Sequence, residues 1–167
     1  MKRKELETFM TLLYDNKINE IKEFLNTKQE ILNDVTPMGT FIDIAASEGK
    51  KDIVEYLIEK ESDVNLGGGL EESPLVEASL RGYSEIVDLL LSKGAKMDVS
   101  SFEANPLFAA ISNGQNEIAI KLINKGIDIS AKYDIGEIKN CDAMEYARQY
   151  GCTEIYNYLK EKLKVHN

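Results

Sequence analysis

Apolar residues fall along this chain in short sets at helical spacing, and the sets recur. They are Ile53, Tyr56 and Leu57; Ile86, Leu89 and Leu90; Ile118 and Leu122 around the stem of Lys121; and Ile155, Tyr158 and Leu159. Positions i, i+3 and i+4 lie on one face of a helix. The spacing predicts helices over 52–60, 85–93, 117–125 and 154–162, each beginning acidic and ending basic as the helix dipole favours. Four residues before each leading isoleucine stands a glycine: Gly49, Gly82, Gly114 and Gly151, repeating every 32 to 37 residues. A period of this size means one supersecondary unit stacked on copies of itself, because a lone unit cannot bury its own apolar face.

The ten residues ending at each glycine predict a second, shorter helix. Thr40, Ser73, Asn105 and Asp142 open these segments with side chains suited to capping a helix N-terminus. Pro74 and Pro106 follow two of them, at a position where a missing N–H costs nothing. Small residues come next (Ala45 and Ala46, Ala78 and Ser79, Ala109 and Ala110, Ala147) and let neighbouring helices approach closely. The glycine then stops the helix. Gly94 and Gly126 end two of the longer helices the same way, while Glu61 holds that slot without a glycine's freedom. Beyond lie segments predicted to be extended: 63–65, 96–98 and 128–130.

Ser73-Pro74-Leu75-Val76-Glu77-Ala78-Ser79-Leu80-Arg81-Gly82, completed by Leu90-Leu91-Ser92-Lys93-Gly94-Ala95-Lys96, resembles the ankyrin repeat. The resemblance implies an all-α fold: an ankyrin-repeat solenoid of helix–turn–helix units joined by extended β-hairpin loops. It covers residues 1–167 as a single domain, with units at about 4–36, 37–69, 70–101, 102–138 and 139–167, the outer two acting as caps. Thr8 to Lys17 aligns with Thr40 to Gly49, so that Lys17 and Lys22 stand where Gly49 and Val54 do. The family's histidine slot holds Asp43, Val76, Phe108 and Glu145, and the chain's only histidine is His166. The threonine–histidine hydrogen bonds that tie neighbouring hairpins in the family therefore have to be rebuilt or are missing. The connection between Asp128 and Asp142 is four residues longer than that between Asp63 and Ser73. Such an insertion maps to a hairpin tip, on the face where these arrays bind.

Charge narrows the partners. The net charge is −9, but with the basic ends set aside residues 5–159 hold 14 basic and 28 acidic side chains. Such a body repels a phosphate backbone, which argues against nucleic acid. No run of about 18 apolar residues exists to span a membrane. The basic start at Lys2, Arg3 and Lys4 leads into Glu5, Glu7 and Asp15 rather than a signal-peptide core, so we expect a first helix and a cytoplasmic protein. Cys141 and Cys152 are too few to form a disulfide framework and are expected to be reduced.

Catalytic constellations are missing from the sequence. There is no phosphate-binding Gly-x-x-x-x-Gly-Lys-Ser/Thr loop and no His-Glu-x-x-His pair. Gly67-Gly68-Gly69 reads as a hairpin tip, and Cys152 lacks a visible base. We therefore expect no enzyme, cofactor or metal. By resemblance, the short helices and hairpin tips line a concave groove that takes a protein partner. Its lining is expected to include Ser47, Glu48, Leu80, Arg81, Ser112, Asn113, Gln149 and Tyr150, with tip residues Leu66, Leu70, Glu71, Phe102, Glu103, Tyr133, Asp134 and Ile135. Leu80, Phe102, Tyr133 and Tyr150 are expected to point at water as anchors, the alternative being that Phe102 folds back over the neighbouring hairpin and Tyr133 packs the insertion onto the final unit. The carboxylates would steer a basic surface. An acidic inhibitor of a basic enzyme and a structural homo-oligomer are the alternatives to a monomeric binding module.

Overall fold

The computed structural model describes residues 3–68 and 73–165. Within these, helices alternate short turn, long connection, and so fall into pairs. The pairs are α1 (Arg3–Tyr14) with α2 (Ile18–Asn26), α3 (Phe41–Ser47) with α4 (Lys51–Glu59), and α5 (Pro74–Arg81) with α6 (Ser84–Ser92). Next come α7 (Pro106–Ser112) with α8 (Asn116–Asn124), and α9 (Ala143–Gln149) with α10 (Thr153–Val165). From the second pair onward the first members stack α3–α5–α7–α9 and the second members α4–α6–α8–α10, giving two helical layers. Leu66 and Gly67 are described, whereas Gly69, Leu70, Glu71 and His166 lie outside the described residues.

The capping expectations hold in all four units. The side-chain oxygens of Thr40, Ser73, Asn105 and Asp142 accept from the backbone N–H groups of Asp43, Val76, Leu107 and Glu145 respectively. A cap of this kind is worth about 1 kcal/mol. At Thr40 it is reciprocal, because Asp43 Oδ2 accepts from the Thr40 N–H at 2.7 Å and from its hydroxyl at 2.8 Å. The residue in the histidine slot is thus spent on its own helix start.

Close approach in the first layer runs through one residue per unit. Ala45, Ala78, Ala110 and Ala147 occupy the same slot of α3, α5, α7 and α9, and each is wholly inaccessible to water. Two of the turn glycines obey a second constraint of the same kind. A Cβ on Gly49 (φ +68°) would sit 2.7 Å from the Tyr83 ring, and one on Gly82 (φ +86°) 2.6 Å from the Gln115 amide. Each of these two turns presses on the first residue after the next unit's turn, while Gly114 and Gly151 face open space. At the amino-terminal end aromatic rings take over, with Phe9 and Phe41 at 4.3 Å between centroids.

The ties between successive loops are rebuilt from asparagine and tyrosine. Asp63 N–H donates to Asn33 Oδ1 (2.8 Å), and Lys96 N–H donates to Asn65 Oδ1 (2.7 Å). Asn65 Nδ2 donates onward to the Gly94 carbonyl at 3.3 Å. On the second layer Lys121, half-buried in a slot otherwise apolar, reaches Ser84 Oγ and Asp88 Oδ2, both at 2.6 Å.

Two expectations need correction. The first unit is out of register with the sequence alignment by one residue. Asn16 (φ +55°) takes the left-handed turn position that Gly49 fills, and Lys17 N–H bonds to Leu12 O as Lys50 N–H does to Ala45 O. Leu13 and Ile21, not Tyr14 and Lys22, therefore occupy the buried slots of Ala46 and Val54. An asparagine tolerates that backbone conformation, whereas a lysine does so less readily. The segments after the longer helices are also not simply extended. Asp63, Asp98 and Asp128 each accept from the N–H two residues on, at 2.8–2.9 Å, which bends the chain into a local turn. Only the last connection builds a ladder among the described residues: β1 (Tyr133–Ile135) pairs antiparallel with β2 (Ile138–Cys141), irregular at one point.

Glu61 holds the left-handed conformation (φ +67°) that Gly94 and Gly126 hold in the next two units. It is exposed, so replacement with glycine removes backbone strain without touching the core. Glu61→Gly should raise stability by about 0.5–1 kcal/mol, after the larger entropy of the unfolded glycine is subtracted. Urea denaturation checks this; no gain, or a loss, would mean the strain is absent.

Candidate functional site

The long connection between α8 and α9 creates the most distinctive surface. Tyr133, the first residue of β1, reaches back over the preceding unit, donating from Oη to the Val99 carbonyl at 2.7 Å. The same hydroxyl accepts from Asn105 Nδ2 at 3.0 Å, and Asn105 itself is fully buried as the cap of α7. Burial pushes the Tyr133 hydroxyl up in pKa; the Asn105 hydrogen bond opposes this, while the negative charges of Asp128 and Asp98 add to it. Here a tyrosine on the insertion does the inter-hairpin tying that histidine does elsewhere in the resemblance.

Around Tyr133 five rings form one cluster. Phe102 meets Phe108, Tyr133 and Tyr146 edge-on, with centroids 5.7, 6.2 and 5.6 Å away. Tyr146, 1 % exposed, is its hub: it lies 4.8 Å from Phe108 and 4.3 Å from Tyr150. Tyr150 is the outer end, 53 % exposed. The expectation that Phe102 and Tyr133 point at water is therefore overturned. Both are half-buried, since an insertion four residues longer gives Tyr133 the reach to fold back and cover Phe102. Leu80 is likewise half-buried.

Beside the cluster an open cleft of about 550 Å³ is lined by Ser101, Phe102, Glu103, Lys132, Tyr133, Asp134, Ile135 and Gly136. Five residues predicted from sequence, Phe102, Glu103, Tyr133, Asp134 and Ile135, thus line one feature. Asp134 is anchored: Asn140 N–H donates to Oδ1 at 3.0 Å and Lys139 Nζ contacts Oδ2 at 3.1 Å, which together hold its carboxyl below the usual range. Glu103 is exposed.

The remaining predicted residues form a row at the ends of the first-layer helices. Glu48, Asn113 and Tyr150 follow α3, α7 and α9, and Arg81 ends α5. Asn113 Nδ2 donates to the Leu80 carbonyl of the preceding unit at 2.9 Å, so this residue ties the row together as well as facing outward. Gln149 is engaged locally, donating to Glu145 Oε1 at 2.7 Å. Hydrogen bonds from Arg148 first, then Gln149, bring the Glu145 carboxyl down to about 2. Sequence reasoning missed Tyr146 as the hub and Asn105 as the partner of Tyr133. Position alone gave no signal for Tyr146, because the same slot before the alanine holds the half-buried Glu77 and Ala109 in other units.

As for other chemistry, Cys141 and Cys152 are free thiols, both pushed up in pKa by burial, and Cys152 Sγ lies 3.2 Å from the Ile111 carbonyl. Among the described residues no group of three His, Cys, Asp or Glu side chains is placed to hold a metal ion. No helix among them is long and apolar enough to cross a membrane.

Comparison with known proteins agrees with this architecture. The family model for ankyrin repeats in three copies matches residues 42–133 and again 75–167. The chain belongs to the ankyrin-repeat family. It is 38 % identical over 122 residues to the ankyrin repeat and KH domain-containing protein mask-1 of Caenorhabditis elegans, covering 72 % of this chain and 4 % of that protein. An ankyrin repeat protein of Rickettsia felis is 33 % identical over 126 residues, 70 % of this chain and 54 % of its own length. The palmitoyltransferase AKR1 of Lachancea kluyveri is 32 % identical over 109 residues, 64 % of this chain and 15 % of the enzyme. The chain thus spans about half of one relative and a small fraction of the others. Ankyrin repeats are generally protein–protein interaction modules and generally non-enzymatic.

Tyr133→Phe tests the rebuilt tie, since it keeps the ring and deletes only the bridge between Val99 and Asn105. Stability should fall by about 1–2 kcal/mol in urea denaturation, because Asn105 is left buried with one donor unmet. A change below about 0.5 kcal/mol would show that the bridge contributes nothing.

Proposed function

We propose that this ankyrin-repeat chain is a non-catalytic, monomeric, cytoplasmic module that binds one protein partner. The contact face comprises the row Glu48, Leu80, Arg81, Asn113, Gln149 and Tyr150 and the tip residues Phe102, Glu103, Tyr133 and Asp134. Tyr150 is the anchor. The observation that carries this reading is that Tyr150 is 53 % exposed yet already stacked on the buried Tyr146 at 4.3 Å. A large amphipathic side chain held still before binding loses little freedom on contact, and such groups supply most interface energy. The half-buried Phe102 and Tyr133 act as its support, extending the apolar floor into the cleft. The excess of carboxylates over residues 5–159 favours a partner with a basic surface, whose approach would be accelerated at low salt.

The test uses Tyr150→Ala combined with Arg81→Ala, because both side chains are exposed and alanine there leaves the core intact. Truncating Phe102 or Tyr133 would confound binding with stability. A partner captured from cells of the native organism and identified by mass spectrometry is purified and titrated against both proteins. Affinity should fall at least about tenfold with an unchanged far-ultraviolet helical signal. Equal affinity would remove this face from the interface.

A further inference from the structure

We propose that the cleft between residues 101–103 and β1 receives a lysine or arginine side chain of the bound partner, seated against Phe102 and Tyr133 and paired with Glu103. This rests on the reading that the tip face binds a protein, and it specifies the chemistry of one contact. The floor is aromatic: Phe102 and Tyr133 line the cleft with ring centroids 6.2 Å apart. Aromatic faces attract cations, with guanidinium groups stacking on them best.

Charge decides the sign of the occupant. Asp98, Glu103, Asp128 and Asp134 cluster around Tyr133, with Lys132 on the rim, Lys139 beside Asp134 and Lys96 near Asp98 as the cations. Lys139 is already committed to Asp134. Both Asp98 and Asp128 are held below the usual carboxylate range by hydrogen bonds from Ser100 and Ser130, so they stay ionised. Four carboxylates against three lysines leave one carboxylate in excess. Glu103 makes no ion pair of 4.0 Å or less among the described residues and is exposed at the mouth, ready to meet an incoming cation. An acidic or wholly apolar segment would leave that excess uncompensated. A single excess carboxylate suits a single cation.

The experiment selects random dodecapeptides displayed on phage against the intact chain at low salt. The most enriched peptide is then titrated by fluorescence anisotropy. Glu103→Gln, Glu103→Lys and a control on the second layer, Glu55→Gln, are compared with the unaltered chain. Enriched peptides should share a lysine or arginine. Binding should weaken about fivefold in Glu103→Gln and further in Glu103→Lys, and stay unchanged in Glu55→Gln. No enrichment of basic residues, or binding insensitive to Glu103, or equal sensitivity to Glu55, would overturn the proposal. Loss of partner affinity in the Tyr150 and Arg81 variant alongside indifference to Glu103 would discard the cationic occupant and leave the binding face standing.

Discussion

The structure depends on how closely the first-layer helices approach one another. Ala45, Ala78, Ala110 and Ala147 form a column in which each helix offers its neighbour a methyl group and no more. At this distance the longer apolar residues on either side, among them Leu75, Leu107, Ile42 and Phe108, interdigitate and exclude water. Without the column those side chains would face partly open gaps, and gaps in a packed core cost both dispersion and burial. The same demand appears at Gly49 and Gly82, where the next unit's Tyr83 and Gln115 fill the space a Cβ would need. Stability in such an array is nearly a sum of units and nearest-neighbour contacts, so each close approach is local in cause and cumulative in effect.

The proposed binding face follows from a departure in this pattern. Because the last connection is longer, Tyr133 reaches back across a repeat boundary to Val99 and Asn105. That reach draws Phe102 inward, seats it on Phe108 and Tyr146, and leaves a cleft whose rim carries Glu103 and Asp134. Tyr150 stacks on the other side of the hub. One insertion thus reinforces a boundary that lacks the family's histidine and shapes the cleft proposed for recognition.

Much of the fold was legible because its causes are local. Capping by Thr40, Ser73, Asn105 and Asp142 depends on residue type and position alone, as do the left-handed turns at Gly49, Gly82, Gly114 and Gly151. The first unit was misread by one residue because its Thr8-Phe9 pair imitates Thr40-Phe41, whereas the turn is set by Asn16. The site was harder to read. Which residues crowd the cleft could be inferred from the period, but their exposure could not. Whether Phe102 and Tyr133 face water is settled by the length of the connection and by Tyr146 beneath them, contacts made across units rather than within one. Tyr150 was read correctly as exposed, since a residue just before a turn glycine has little to cover it.

The most direct measurement compares leucine at two adjacent positions of α7, Ala110 and Ala109, by urea denaturation. Ala110 is wholly buried in the column and Ala109 is half-buried beside it, so helix propensity and added side chain are the same and only the neighbour differs. Ala110→Leu should cost about 1–3 kcal/mol or more through overpacking, while Ala109→Leu should change stability by less than about 0.5 kcal/mol. Equal, small effects at both positions would contradict the claim that close helix approach holds this array together.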